Sequence, residues 1–540
     1  MHADLVFAGG SVFAPGRPTA VAVSYGRIVA VGGEELRDLI GPGTEVVDLT
    51  GRLLIPGFQD AHVHPLGGGQ SLLTCDLRSV DTAAASVELV ARYASANPHL
   101  EWIVGSGWAM ATFPGGTPTA DLLDAAIPDR PVFLLNRDAH GAWVNSRAMK
   151  LAGIDAATPD PSDGRIERYA DGNPTGMLHE GAMALVGRLI PDSTVEERVR
   201  ALLVAQEHLH SFGITAWQDA IIGDYADMRD PGPAYATAAR DASLTSRVVG
   251  ALWWDRERGL EQIADLVERR TALSGGRFAA TSVKIMQDGV AENFTAAMLA
   301  PYEDGHGHEG ANAGISFVEP ALLKSAVADL DARGFQVHFH AIGDRATREC
   351  LDAVEHAVAA NGRGDNRHHI AHIQVVHPED IPRFAALGVS ANIQALWATY
   401  DAQMTELTLP FLGEKRGAWQ YPFGELARAG ARLAAGSDWP VSSPDPLAAI
   451  HTAVNRASGD EDAFLPWQAL SLEESLIAYT AGSAFVNHLD DVTGIIDVGK
   501  FADLAVLDRD VFARPADEIA AARVLQTFVD GQRVYAAGDA

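Results

Sequence analysis

The sequence predicts an α/β protein: a (β/α)8, TIM-like barrel with a small β-sandwich formed by both chain ends and a large insertion after the first barrel strand. Three observations lead there. Eight short apolar runs recur through the middle of the chain, with helical stretches between several of them, the pattern of parallel βα units. Both ends read as short strands broken by glycine turns, too few at either end to close a core. Histidines and acidic residues gather where the apolar runs stop, and that end of a barrel strand is where active sites lie.

The N-terminal segment, 1–57, contains ADLVFAGGSVF, AVAVSYGRIVAVG and TEVVDLTGRLLIPG. The C-terminal segment, 486–540, answers with GIIDVGKFADLAVLDRD and RVLQTFVDGQRVY, where Asp530-Gly531 reads as a hairpin turn. The economical arrangement is one β-sandwich built from both ends. The barrel then occupies 58–485, with candidate strands at 58–64, 213–220, 246–254, 282–289, 335–344, 368–374, 389–394 and 432–440. The first two lie far further apart than one crossover helix requires, so residues about 65–205 are expected to form an inserted subdomain at the barrel mouth.

Composition narrows the function classes. The 540 residues include 41 basic and 71 acidic side chains, a net charge of -30 that repels phosphate backbones and anionic lipid. Nucleic acid and membrane partners are therefore not expected; a small-molecule substrate is. Cys75 and Cys350 are the only cysteines, so no disulfide framework holds the fold. The start, Met1-His2-Ala3-Asp4, lacks the basic and apolar regions of a secretory signal, and no apolar run approaches the roughly 20 residues of a membrane span. The expected location is the cytoplasm.

The chemistry-bearing residues sit at strand ends. His62 and His64 are two apart on one strand, so both imidazoles project from the same face. A bare HxH is more often a pair without metal; the surrounding PGFQDAHVHP favours a metal site. His340 ends FQVHFH, while His338, on the same face one layer deeper, either supports the site from beneath or belongs to the core. His372 ends the sixth strand. His368 and His369, nearer its start, read as structural, and His377 as a solvated loop residue. Asp438 follows the small residues Ala-Ala-Gly-Ser, and Trp439-Pro440 after it argues against a simple helix cap.

Lys284 stands in the apolar run SVKIMQDG, in a chain with only five lysines. It snorkels outward, pairs with a carboxylate such as Asp288, or carries a carbamate. The carbamate is favoured, because it needs the neutral amine that burial promotes and arginine cannot form it. Four histidines, a lysine and an aspartate thus converge on one mouth. Imidazole and carboxylate ligands suit zinc, one or two ions per chain, with other divalent metals as alternatives.

These motifs resemble the amidohydrolase superfamily, and within it the YtcJ-like branch that includes N-substituted formamide deformylases. The matching segments are PGFQDAHVHP (56–65), DAHGAWVNSRAM (138–149), VKIMQDGV (283–290), HFHAIGDRA (338–346), IAHIQVVHPEDIPRFAALGVSANIQ (370–394), GSDWPVSSPDPL (436–447) and GKFADLAVLD (499–508). The resemblance implies that His62 and His64 hold a first metal and that Lys284 bridges to a second. It also implies that His340 and His372 hold the second, with Asp438 the last ligand and the general acid/base, and that the chain is a homodimer. The implied reaction is hydrolysis of a C–N amide bond, with deformylation of an N-substituted formamide the nearest analogy. A hydrolytic deaminase and a non-catalytic binding or regulatory barrel are the alternatives. For substrate contacts, Trp108, His140, Trp254, Asp288 and Trp397 are the candidates by their placement, each weighed against ordinary packing.

Overall fold

The computed structural model of the protein describes residues 2–225, 229–308, 310–459 and 461–538. Eight parallel strands form its centre: β1 (Phe58–Val63), β2 (Ile214–Ile222), β3 (Arg247–Trp253), β4 (Phe278–Met286), β5 (Gln336–Ala341), β6 (His369–His372), β7 (Ser390–Ile393) and β8 (Leu433–Ala435). Each pairs with its sequence neighbour, in chain order. The seam between β8 and β1 is bridged at the mouth by two backbone bonds, His64 N–H to Trp439 O and Asp438 N–H to His62 O, each 2.8 Å. The architecture is a TIM-like, nearly closed barrel.

Local sequence explains the elements. The helix Pro320–Ala332 starts with proline at its first position and a Glu319 carboxylate accepting from Ala321 and Leu322 N–H. It buries Leu323, Ala326, Val327 and Leu330, the i, i+3, i+4, i+7 stripe of an amphipathic helix. Gly334, at φ 71°, then turns the chain into β5. Burying each large aliphatic side chain of such a stripe contributes about 1.5–3 kcal/mol. β4 starts four residues before the expected run, because FAAT continues the strand pairing with β3. β8 ends at Ala435, short of the expected 440, leaving Gly436 to Trp439 as an irregular turn.

Between β1 and β2 the chain builds a separate six-stranded sheet spanning Cys75–Asp76 to Pro174–Glu180. It has its own apolar cluster, including Trp108, Phe113, Leu134 and Trp143. The helix Val195–Ser211, opened by a Thr194/Glu197 capping box, packs against β2 and the C-terminal strands. Strands from both chain ends pair with each other, Ile55 facing Ala505 in an antiparallel ladder. A shared apolar cluster joins them to the N-terminal sheet, with Phe7 edge-on to Phe528 at 5.0 Å. Asp530 and Gly531, at φ 49° and 70°, make the tight turn that the dipeptide predicts. Among the described residues no helix is long and apolar enough to cross a membrane.

Candidate metal centre

Period-two alternation along β1 sends His62 and, just beyond the strand, His64 to the barrel mouth. Both Nε2 atoms lie 3.0 Å from Asp438 Oδ1. His372 closes the group: its ring lies 4.7 Å from that of His62 and 4.5 Å from that of His340, and ligand atoms of His62, His372 and Asp438 all fall within 4.8 Å of one another. Lys284 and His340 line the same cavity. His340 Nε2 points at Gly289 O, 3.3 Å away.

Two of these residues are held in unfavourable backbone conformations. His372 has φ 76° and Asp438 φ 56°, left-handed values that cost a non-glycine residue on the order of 1–3 kcal/mol. Neighbours hold them there. His372 N–H donates to Gln394 Oε1 at 2.7 Å, and Asp438 N–H makes the seam bond to His62 O.

The electrostatics follow from burial. Desolvation, then the nearby Lys284, hold the His62 imidazole well below its usual pKa. Desolvation, then His340, do the same to His372. Burial lowers Lys284 to about 7, against the opposing pull of Asp438. Burial would raise the Asp438 carboxyl, but the His64 contact and the proximity of His372 and Lys284 outweigh it and hold it below its usual pKa. Asp438 Oδ1 and His372 Nδ1 are nonetheless buried without a full hydrogen bond of their own. A buried carboxylate oxygen with two imidazole nitrogens 3.0 Å away suits a cation held between them.

The cavity over this group encloses about 290 Å³. Its walls come from both the barrel and the inserted sheet: Leu135, His140, Ile190, Tyr225, Trp253 and Trp397. His140 is tied through Nδ1 to Glu180 at 2.9 Å. Burial opposes its protonation, but Glu180 and Asp138 prevail and raise its pKa to about 9. Trp397 stacks on the His372 ring, 5.3 Å between centroids and 14° between planes.

Three of the expected substrate contacts lie elsewhere. Trp108 is fully buried inside the inserted sheet's own core, its Nε1–H donating to Leu134 O at 2.8 Å. Trp254 is also buried and absent from the cavity wall; its neighbour Trp253 faces the cavity, one step of strand alternation away. Asp288 has no exposure and accepts N–H groups of Ala297, Ile342 and Gly343, anchoring the loop after β5. Glu180, Tyr225 and Trp253 carry no motif that points to the site. Of the three, Trp253 alone was recoverable, from its register opposite Lys284.

The family model for the amidohydrolase family matches residues 45–535. The chain is a member of the amidohydrolase family. Three curated relatives span nearly the whole chain. Protein LONG AFTER FAR-RED 3 of Arabidopsis thaliana is 32% identical over 99% of this chain and 92% of its own length. The putative amidohydrolase YtcJ of Bacillus subtilis is 30% identical over 96% of both. N-substituted formamide deformylase of Arthrobacter pascens is 28% identical over 96% of this chain and 94% of its own. Among solved structures, an uncharacterised metal-dependent hydrolase from Pyrococcus furiosus superposes with TM-score 0.71 at 27% identity, covering 94% of this chain and 99% of its own. This amidohydrolase is a metal-dependent enzyme that hydrolyses carbon–nitrogen bonds in small molecules, using a divalent cation.

Proposed function

We propose that this amidohydrolase cleaves the amide bond of an N-substituted formamide, releasing formate and a primary amine. The observation that carries the reading is the convergence of His62, His372 and Asp438, with His64 against the same carboxylate, beneath a small cavity walled by aromatic side chains. His62, His64, His372 and Asp438 would hold zinc, with Lys284 and His340 beside it available for a second ion. Zinc bound there supplies Lewis acidity, which acidifies water and polarises a carbonyl.

The protein's own groups do the rest. Asp438, kept ionised, accepts the proton of the attacking water and returns it to the leaving nitrogen. His140, oriented by Glu180 and protonated near neutrality, offers Nε2 to the amide oxygen. Trp253 and Trp397 shelter an apolar N-substituent in a cavity of about 290 Å³, a size that suits a small amide. Lys284, half deprotonated near pH 7, presents the free amine that adds carbon dioxide, losing a proton to become a carbamate. We also read the terminal sheets as one β-sandwich, and residues about 65–205 as an inserted subdomain that roofs the cavity.

The test is product analysis with zinc-loaded enzyme and a panel of N-alkyl and N-aryl formamides. Equimolar formate and primary amine support the proposal. Ammonia release from amidine-like compounds, with all formamides inert, would replace it with hydrolytic deamination.

A further inference from the structure

Beneath the metal centre the barrel interior is polar where such barrels are ordinarily filled by branched apolar side chains. Gln218 on β2, Gln336 and His338 on β5, His369 on β6 and Asn392 on β7 are all buried, and they bond to one another. The amide orientations and imidazole tautomers of this layer follow from partners that can only donate or only accept. Backbone groups supply those partners from two directions.

From one side, Gln336 Nε2 donates to Arg367 O at 2.9 Å and Val486 O at 2.7 Å, carbonyls that only accept. Gln336 Oε1 is therefore the acceptor for Gln218 Nε2 at 2.9 Å, which leaves Gln218 Oε1 as an acceptor. From the other side, the His372 backbone N–H, which only donates, sets Gln394 Oε1 as an acceptor. Gln394 Nε2 then donates to Asn392 Oδ1 at 2.9 Å, and Asn392 Nδ2 donates to Ala61 O at 2.9 Å and His369 Nδ1 at 3.2 Å. His369 must carry its proton on Nε2, which donates to Gln218 Oε1 at 3.0 Å. The two chains of inference meet on one amide and agree.

Gln218 Oε1 also accepts from His338 Nδ1 at 2.6 Å, so neutral His338 has its lone pair on Nε2. That lone pair lies 2.7 Å from His62 Nδ1, which must carry the proton. We infer that Gln336, Gln218 and His338 form a positioning relay that locks His62 in its Nδ1–H tautomer and so presents a bare Nε2 to the cation shared with Asp438. Hydrogen bonding at the far nitrogen of a metal-ligating imidazole both fixes its tautomer and raises its basicity. His338 touches no substrate; it acts through His62. The inference rests on the proposed role of His62 as a metal ligand.

The experiment measures zinc affinity of the full chain by competition with a chromophoric chelator, for wild type, His338→Leu and His338→Gln. Glutamine returns an acceptor oxygen near the place of the lost Nε2; leucine fills the space without one. Affinity should fall about 10–100-fold in His338→Leu and stay within about threefold of wild type in His338→Gln. Equal affinity in all three overturns the relay, as does an equal loss in both variants, which would mark a packing role. Should His338→Leu fail to fold, Gln218→Met breaks the relay one step further back and should weaken zinc in the same sense; unchanged zinc affinity there also overturns it. Ring-15N NMR of the metal-free chain, with the His62 signal assigned by its loss in His62→Gln, reads the tautomer directly. An Nδ1–H signal supports the relay and an Nε2–H signal overturns it, even if wild type takes up no zinc and the metal reading itself falls.

Discussion

Trp108 and Trp253 should separate stability from recognition in opposite ways. Trp108 is fully buried among Phe113 and Trp143, ring centroids 5.5 and 6.2 Å away, and its Nε1–H satisfies Leu134 O. Trp108→Phe keeps an aromatic ring but removes the donor and part of the filled volume. An unpaired buried carbonyl costs about 1–3 kcal/mol, and the partial void adds roughly another 1 kcal/mol, so about 2–4 kcal/mol of stability should be lost. The inserted sheet would still be assembled, and KM should be unchanged. Trp253 stands half-buried in the cavity wall beside Tyr225, ring centroids 5.0 Å apart. Trp253→Ala should lower kcat/KM for aryl formamides about 10–50-fold, near 2 kcal/mol, mainly through KM, at a stability cost under about 2 kcal/mol. Denaturant midpoints and steady-state kinetics on the same preparations measure both. A Trp108→Phe enzyme with raised KM and undiminished stability would refute the placement of that ring inside the insert.

Three further outcomes follow from the site. Asp438→Asn should reduce kcat about 10³-fold while keeping most of the bound metal, measured by turnover and by metal content per chain; retained turnover would remove Asp438 as the proton carrier. Because burial lowers Lys284 to about 7, its free amine prevails above that pH and the ammonium below it. Reactivation of chelator-stripped enzyme by zinc and bicarbonate should therefore be faster at pH 8 than at pH 6, and abolished in Lys284→Arg; bicarbonate-independent recovery would argue against a carbamate. Glu180→Gln removes the partner that keeps His140 protonated against its burial, so kcat/KM should fall about 10²-fold at pH 7, with circular dichroism confirming an intact fold.

The barrel was legible because eight apolar runs recur in order through the middle of the chain, with helical stretches between several of them. His62, His64, Lys284, His340, His372 and Asp438 all reach one cavity, since strand alternation and strand ends determine their side. Sequence reasoning weakened where contacts come from the insert. Trp108 and Trp143 look alike in sequence to cavity aromatics, and only the fold of the inserted sheet turns them inward on each other. Trp254 directly follows Trp253 at the end of a strand, where a step of one residue exchanges the two faces, and placement near a strand end does not tell the two apart. Asp288 misled for another reason: a carboxylate near a strand end serves a loop's backbone N–H groups as readily as a ligand.

The polar layer under the site bears on the barrel's weakest joint as well as on the tautomer of His62. β8 is only three residues long, and its seam with β1 relies on bonds made by His62, His64, Asp438 and Trp439, the same segment that carries the metal-facing groups. Asn392 reaches across from β7 to Ala61 O on β1, bracing that seam from inside. An apolar side chain at 392 would leave Ala61 O, His369 Nδ1 and Gln394 Nε2 without partners, each a penalty of about 1–3 kcal/mol. The buried amides are thus tolerated because they are paired, and they are paired in a pattern that leaves no freedom in the imidazole above them. Substitutions in this layer should register twice, as lost stability and as weakened metal binding. Only variants that preserve one acceptor at a time, such as His338→Gln, separate the two effects.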